Sequence, residues 1–282
     1  MTSLRLFLMA GVTTVLVGCS LPPFATPGSP GSSGAAMSSA AIALPDALDA
    51  YGRVLQRHVN AQGLVDYEAL QREPADLERT VAAIGAVAPQ EYRSWSEAEQ
   101  IAFLLNAYNA ITLASIIQET PLKPSIRDIW GVWNLRRHPV AGQPRTLDAI
   151  EHQILRKEFN EPRIHTALVC AAISCPPLRQ EPYVAARLEQ QLDDQTRRWL
   201  AGPHGLRIDR AGERVQISQI FRWFGEDWSR ANPTPVPIPG HVKDSAVLAF
   251  IGSYLSPEDR RYLERGRYSL DTLPYDWALN RR

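Results

Sequence analysis

Charge of one sign is not in excess here: 30 Lys and Arg stand against 30 Asp and Glu over 282 residues. That removes the electrostatic footprint of a nucleic-acid binder, and no nucleic-acid partner is expected. Cysteine is scarce, with three in the chain, so this is no disulfide-dense scaffold. No glycine-rich phosphate loop and no internal repeat occurs, which argues against nucleotide-binding and solenoid classes. His-x-x-x-His and Cys-x-x-Cys spacings are also missing, and neither a metal nor a cofactor is expected. What is present is a 45% hydrophobic, 21% charged chain, long enough for one large or two modest domains and too apolar to be wholly disordered.

Charge is rarest at the start, where Arg5 is the only charged side chain before residue 46. Behind it lies an uncharged run of twelve residues, Leu6 to Val17. A membrane span needs about twenty. The pattern predicts a signal peptide over residues 1–18. Leu16-Val17-Gly18-Cys19 resembles a bacterial lipobox, whose cysteine is lipidated, here Cys19. Residues 19–44 are rich in Pro, Gly, Ser and Ala and uncharged, a composition that predicts a flexible linker. The expectation is a lipid-anchored protein of the bacterial cell envelope, on the periplasmic face of a membrane, with one domain over residues 45–282.

Within that domain the most informative segment starts at Ser96, has Glu97 and Glu99 in its first turn, and runs to about Gln118. It is apolar on nearly every side from Ile101 onward, which predicts a helix surrounded by protein. Asn106 and Asn109 interrupt it, and a buried amide without partners costs about 1–3 kcal/mol, so each needs a specific partner or ligand. Hairpins are predicted around Ala141-Gly142 and Ala211-Gly212, and a short helix over 147–157 carries Glu151 and His152. Residues 163–170, after Pro162, have the pattern of a buried strand, on which His165 and Cys170 face opposite ways. Helices outnumber strands: the expected class is α+β, helix-rich, with a small, mostly antiparallel sheet around a buried central helix.

Several phrases together resemble the uncharacterised family known as domain of unknown function 547. They are Ala102-Phe103-Leu104-Leu105-Asn106-Ala107-Tyr108-Asn109-Ala110, Leu147 to His152 with Leu155-Arg156, Arg163 to Cys170 through Ser174-Cys175-Pro176-Pro177, and Tyr275 to Asn280. The family often carries an aromatic where this chain has Leu104. The resemblance implies a single domain, distantly similar to papain- and transglutaminase-like folds, and brings no established reaction.

Two chemistries follow for the cysteines. Cys170 and Cys175 form an exported pair that invites a structural disulfide, leaving a non-catalytic binding or scaffold module. Alternatively Cys175, ahead of Pro176 at a predicted helix start, is a nucleophile with His165 or His152 as base, and Glu151, Asn106, Asn109 or Asp276 orienting the imidazole. The reaction then expected is thiol-dependent hydrolysis or acyl transfer on a peptide or peptidoglycan stem. A groove lined by Trp130 and Trp133 suits a peptide or glycan.

Overall fold

The computed structural model describes residues 43–282. The predicted signal peptide, Cys19 and all but the end of the linker lie outside the described residues. The first helix, α1 (Leu44–His58), opens on Pro45 and turns Ala47, Tyr51, Val54 and Leu55 inward. It is followed by α2 (Tyr67–Arg72), α3 (Ala75–Ala86) and α4 (Pro89–Ser94). These cover one side of α5 (Glu97–Ile117), with α1 packed on α3 and α3 on α5.

At the start of α5, Ser96 and Glu99 exchange side-chain-to-backbone hydrogen bonds in a capping box. Every residue from Ile101 to Ile117 is buried. The helix is long and apolar enough to cross a membrane, but protein covers it, and each Leu or Ile so buried stabilises the fold by roughly 1.5–3 kcal/mol.

Beyond α5 the chain makes a hairpin, β1 (His138–Val140) and β2 (Gln143–Arg145). Ala141 and Gly142 at its turn both have positive φ, as a tight primed turn requires. A π-helical segment, Ala149–Leu155, then runs into α6 (Arg156–Glu158). Such widened turns are frequent at functional sites. Here it carries Glu151 and His152.

Residues 163–170 differ from the strand expected of them. Ile164–Ala167 form a helical turn, α7, Leu168 is extended, and residues 168–170 belong to no strand. The Thr166 hydroxyl donates to the Arg163 carbonyl, and Asn109 accepts from Val169 N–H and donates to the Ala167 carbonyl, so a side chain replaces a strand partner. A short apolar run does not choose between helix and strand by its pattern alone.

The remaining elements build a second, smaller core. They are α8 (Leu188–Ala201), β3 (Leu206–Asp209), β4 (Arg214–Ile217), α9 (Gln219–Trp223), α10 (Gly225–Ala231), α11 (Ser245–Ser253), α12 (Pro257–Arg265) and β5 (Ser269–Thr272). The strands form one sheet, antiparallel between β3 and β4 and parallel between β4 and β5. Trp199, Phe221, Trp228 and Ile251 fill the space beneath it. The described chain is thus a helix-rich α+β domain with two small sheets.

From β5 the chain returns as an extended strap across the larger core. Ile173 N–H donates to the Ala278 carbonyl, Asn280 N–H to Ala171 and Leu279 N–H to Pro124. This strap lays Tyr275 against the loop that holds both cysteines.

Candidate functional site

A cavity of about 320 Å³ opens between the two cores, lined among others by Tyr108, Glu151, His152, His165, Cys170, Cys175, Tyr275 and Trp277. Sequence distance is large, so each side chain arrives on a different element: Tyr108 on α5, Glu151 and His152 on the π-helical segment, His165 on α7, Tyr275 on the strap. Because α7 is a helical turn rather than a strand, His165 and Cys170 line the same cavity instead of pointing apart.

The cysteines sit on a loop with no helix after it. Residues 176–179 are irregular, so the expected placement of Cys175 at a helix N-terminus does not occur. The physical reason is the run of prolines, which withholds backbone donors from a helix. In its place, Ala171 adopts a left-handed backbone with φ of 62° and Cys175 N–H donates to the Ala172 carbonyl, closing a turn. That turn brings Cys170 Sγ and Cys175 Sγ to 2.6 Å, with both thiols free. Tyr275 Oη lies 3.3 Å from Cys175 Sγ and 3.6 Å from Cys170 Sγ.

Burial favours a neutral Cys175, yet its thiol is held below the ordinary range. Donation from Cys170 and Tyr275, and from the backbone N–H groups of Ala172 and Cys170, outweighs the burial. A hydrogen bond to a charged group is worth about 1.5–3 kcal/mol, so several together suffice. Cys170 moves the opposite way, well upward, first because it donates to Cys175 and then because it is buried. Tyr275 is also pushed up, by burial and by the two sulfurs, so it stays a phenol able to donate. Burial followed by the nearby Glu151 carboxylate likewise keeps Tyr108 protonated.

Opposite the thiols, His165 is buried and stacked on Phe224, ring centroids 4.3 Å apart. Its Nε2 meets Asp227 Oδ2 at 2.7 Å. The same oxygen accepts from Arg156 Nε at 2.6 Å, and Arg230 lies 3.2 Å from the other oxygen. Burial opposes charge on Asp227, but His165 and Arg156 prevail and lower its pKa to about 2. A carboxylate at Nε2 fixes the proton there and leaves Nδ1 the basic nitrogen of the neutral ring. Among the described residues no hydrogen bond joins His165 to either sulfur.

The other expected site residues separate. His152 is half-buried at the rim, with Nδ1 at 3.2 Å from Arg156 Nη1 and Nε2 at 3.6 Å from Asp148. Asn106 donates to the Tyr183 carbonyl and accepts from Tyr183 N–H, which uses up its amide on backbone. Asn109 does the same for Ala167 and Val169, so it positions the segment between His165 and Cys170 rather than lining the cavity. Asp276 is exposed and caps Ala278 N–H, while its own N–H is held by Ser174 Oγ. Neither amide nor Asp276 lines the cavity, because local backbone claims each one. Trp130 is 78% exposed; the aromatic rim is instead Trp133, Trp223 and Trp277.

Sequence reasoning missed Asp227, Arg156 and Tyr275. Arg156 and Tyr275 stand inside the phrases that carry the family resemblance. Asp227 lies in Trp223-Phe224-Gly225-Glu226-Asp227-Trp228, where acids amid aromatics are the available signal. Among the described residues no group of three or more His, Cys, Asp or Glu side chains is arranged to hold a metal ion.

The fold and cavity define a helix-rich α+β domain with a buried dithiol site. Residues 92–200 match the model of the family described as protein of unknown function, DUF547, and this segment of the chain belongs to that family. It covers α5, the π-helical segment, α7 and both cysteines. No curated protein and no solved structure matches the chain.

Proposed function

We propose that Cys175 is the nucleophile of a thiol-dependent hydrolase or acyltransferase acting on a peptide-like carbonyl, with a peptidoglycan stem peptide as the substrate class. The observation that carries it is a thiol held below its ordinary range inside a cavity that also holds an imidazole oriented by a carboxylate. That combination is what nucleophilic thiol catalysis needs. His165 takes the Cys175 proton as Sγ adds to the carbonyl carbon, the bond to the leaving group breaks, and the leaving group takes that proton from the imidazolium. Water or an amine then gives a proton to His165 as it attacks the acyl carbon, the bond to sulfur breaks, and the proton returns to Cys175. Glu151 and the aromatic rim contact the flanking parts of the substrate.

The setting belongs to the same proposal. Lipidation of Cys19 attaches the chain to a membrane, and the linker lets the domain reach envelope peptides. Mass measurement of chain isolated from its host tests it: an acylated Cys19 at the new N-terminus supports the anchor, and an unprocessed start contradicts it.

The 2.6 Å between the sulfurs favours a second reading, a non-catalytic envelope module with Cys170 and Cys175 joined as a structural disulfide. Iodoacetamide labelling of unreduced protein separates the two. Rapid alkylation at Cys175, abolished by Cys175→Ala, supports the nucleophile. A mass two hydrogens light with no reactive thiol supports the module.

A further inference from the structure

Two thiols in one cavity are one more than acyl transfer needs, and they touch each other rather than the imidazole. We propose that Cys175 and Cys170 act as the attacking and resolving thiols of a thiol–disulfide exchange centre, whose substrate is an organic disulfide with an apolar or aromatic flank. This shares the Cys175 thiol with the acyl-transfer reading but does not depend on that reaction. The placement of the sulfurs carries it: 2.6 Å apart, at the two ends of a six-residue turn fixed by Ala171 and the strap, with Tyr275 Oη within reach of both. The cavity wall supplies the substrate class. Trp223 stacks on Trp277, and Tyr275 is tilted against both, with centroids 4.6 to 5.8 Å apart, giving an apolar aromatic surface open at Trp223, which is 45% exposed.

In the first step Cys175 Sγ, as thiolate, attacks one sulfur of the substrate. The substrate S–S bond breaks, a mixed disulfide forms on Cys175, and the departing thiolate is protonated from water. The second step follows from what held Cys170 back. Its thiol is quiet chiefly because it donates to a negatively charged Cys175. Once Cys175 is in a mixed disulfide that charge is gone, and Cys170 can lose its proton to water in the open cavity. Cys170 Sγ then attacks Cys175 Sγ, the bond between the two residues forms, and the second substrate thiol leaves and is protonated. The protein dithiol is oxidised by two electrons and one disulfide is reduced to two thiols. An external dithiol returns the pair to its starting state. Exchange rates depend on thiolate fraction at the attacking sulfur, which the asymmetry of this pair provides.

The test uses full-length protein carrying Cys19→Ser throughout, so that the pair alone reports, with 4,4′-dithiodipyridine as the probe. The expected result is release of two equivalents of thiopyridone and a product two hydrogens lighter than the dithiol, restored by dithiothreitol. Cys170→Ser is expected to stop at one equivalent with the pyridylthio adduct retained, and Cys175→Ser to react at least tenfold more slowly. A product carrying two pyridylthio adducts, or equal reactivity of the two variants, overturns the exchange centre. The mass of the doubly thiolated parent protein decides this even where a variant fails to fold. Iodoacetamide labelling in parallel keeps the proposals apart: an alkylatable Cys175 with two adducts defeats exchange alone, and an unreactive Cys175 defeats both.

Discussion

On the wall of the cavity that carries His165, the Asp227 carboxylate is met by His165, Arg156 and Arg230, and Asn109 completes two backbone groups of the adjoining segment. Across from it, two cysteines and Tyr275 share a few hydrogen bonds among weak donors and acceptors, and among the described residues no cationic side chain is hydrogen-bonded to Cys175. His165, Asp227 and Cys175 are all buried, while Cys170 and Tyr275 are half-buried. The first wall spends its polar groups on holding a geometry; the second keeps one unstable group ready to react. Low-dielectric surroundings strengthen both arrangements and make an unpaired member expensive in either.

The contrast breaks most visibly at Asn109. Replacing Asn109 by Leu strands the Ala167 carbonyl and Val169 N–H without a partner, at about 1–3 kcal/mol for each group, so a loss of roughly 2–6 kcal/mol is expected in urea unfolding. Asn109 acts on the site through the backbone, and any variant that still folds is expected to alkylate more slowly at Cys175.

A smaller effect is expected at Asp227. Its pKa is depressed in the folded chain to about 2, below the value of about 3.9 for an unfolded Asp. The stability it contributes is therefore present above about pH 4 and is lost as pH falls through about 2. Asp227→Asn is expected to cost roughly 2 kcal/mol at neutral pH, with the gap from the parent protein closing toward pH 2. A gap that does not change with pH breaks the assignment of a charged Asp227.

Tyr275→Phe sharpens the other wall. It removes one donor from Cys175 while keeping the ring, so the alkylation midpoint is expected to rise by about one pH unit or less with little change in stability. The smallest effect is expected at His152, half-buried at the rim: His152→Gln should change unfolding by less than about 0.5 kcal/mol. A larger loss there shifts weight from His165 to His152.

Legibility in the sequence divides along the same line. The central helix was readable because its capping box and its continuous apolar run are local, and the β3–β4 hairpin because Ala211-Gly212 sits between alternating strands. The pair Cys170 and Cys175, with His165, Glu151 and His152, was readable as chemistry in apolar context. Their arrangement was not, because it is set by distant partners. Asn109 chooses a helical turn for 164–167 from 58 residues away. Asp227 finds His165 across 62 residues, and Tyr275 reaches Cys175 across 100. Pro176 matched a helix start in pattern, yet the prolines produced an irregular segment. The amides of Asn106 and Asn109 read from sequence either as a structural knot to Tyr275-Asp276-Trp277 or as ligand contacts, because a buried amide announces that it has a partner and not which one.

The central claim is that neighbouring donors hold the Cys175 thiol below its ordinary range while Cys170 is held above it. Peptide-resolved iodoacetamide alkylation of the reduced wild-type chain, followed as a function of pH, measures both at once. The account predicts a midpoint for Cys175 below the ordinary thiol value of about 8.5, with Cys170 unreactive through that range. A shared midpoint, or one for Cys175 at or above 8.5, contradicts it.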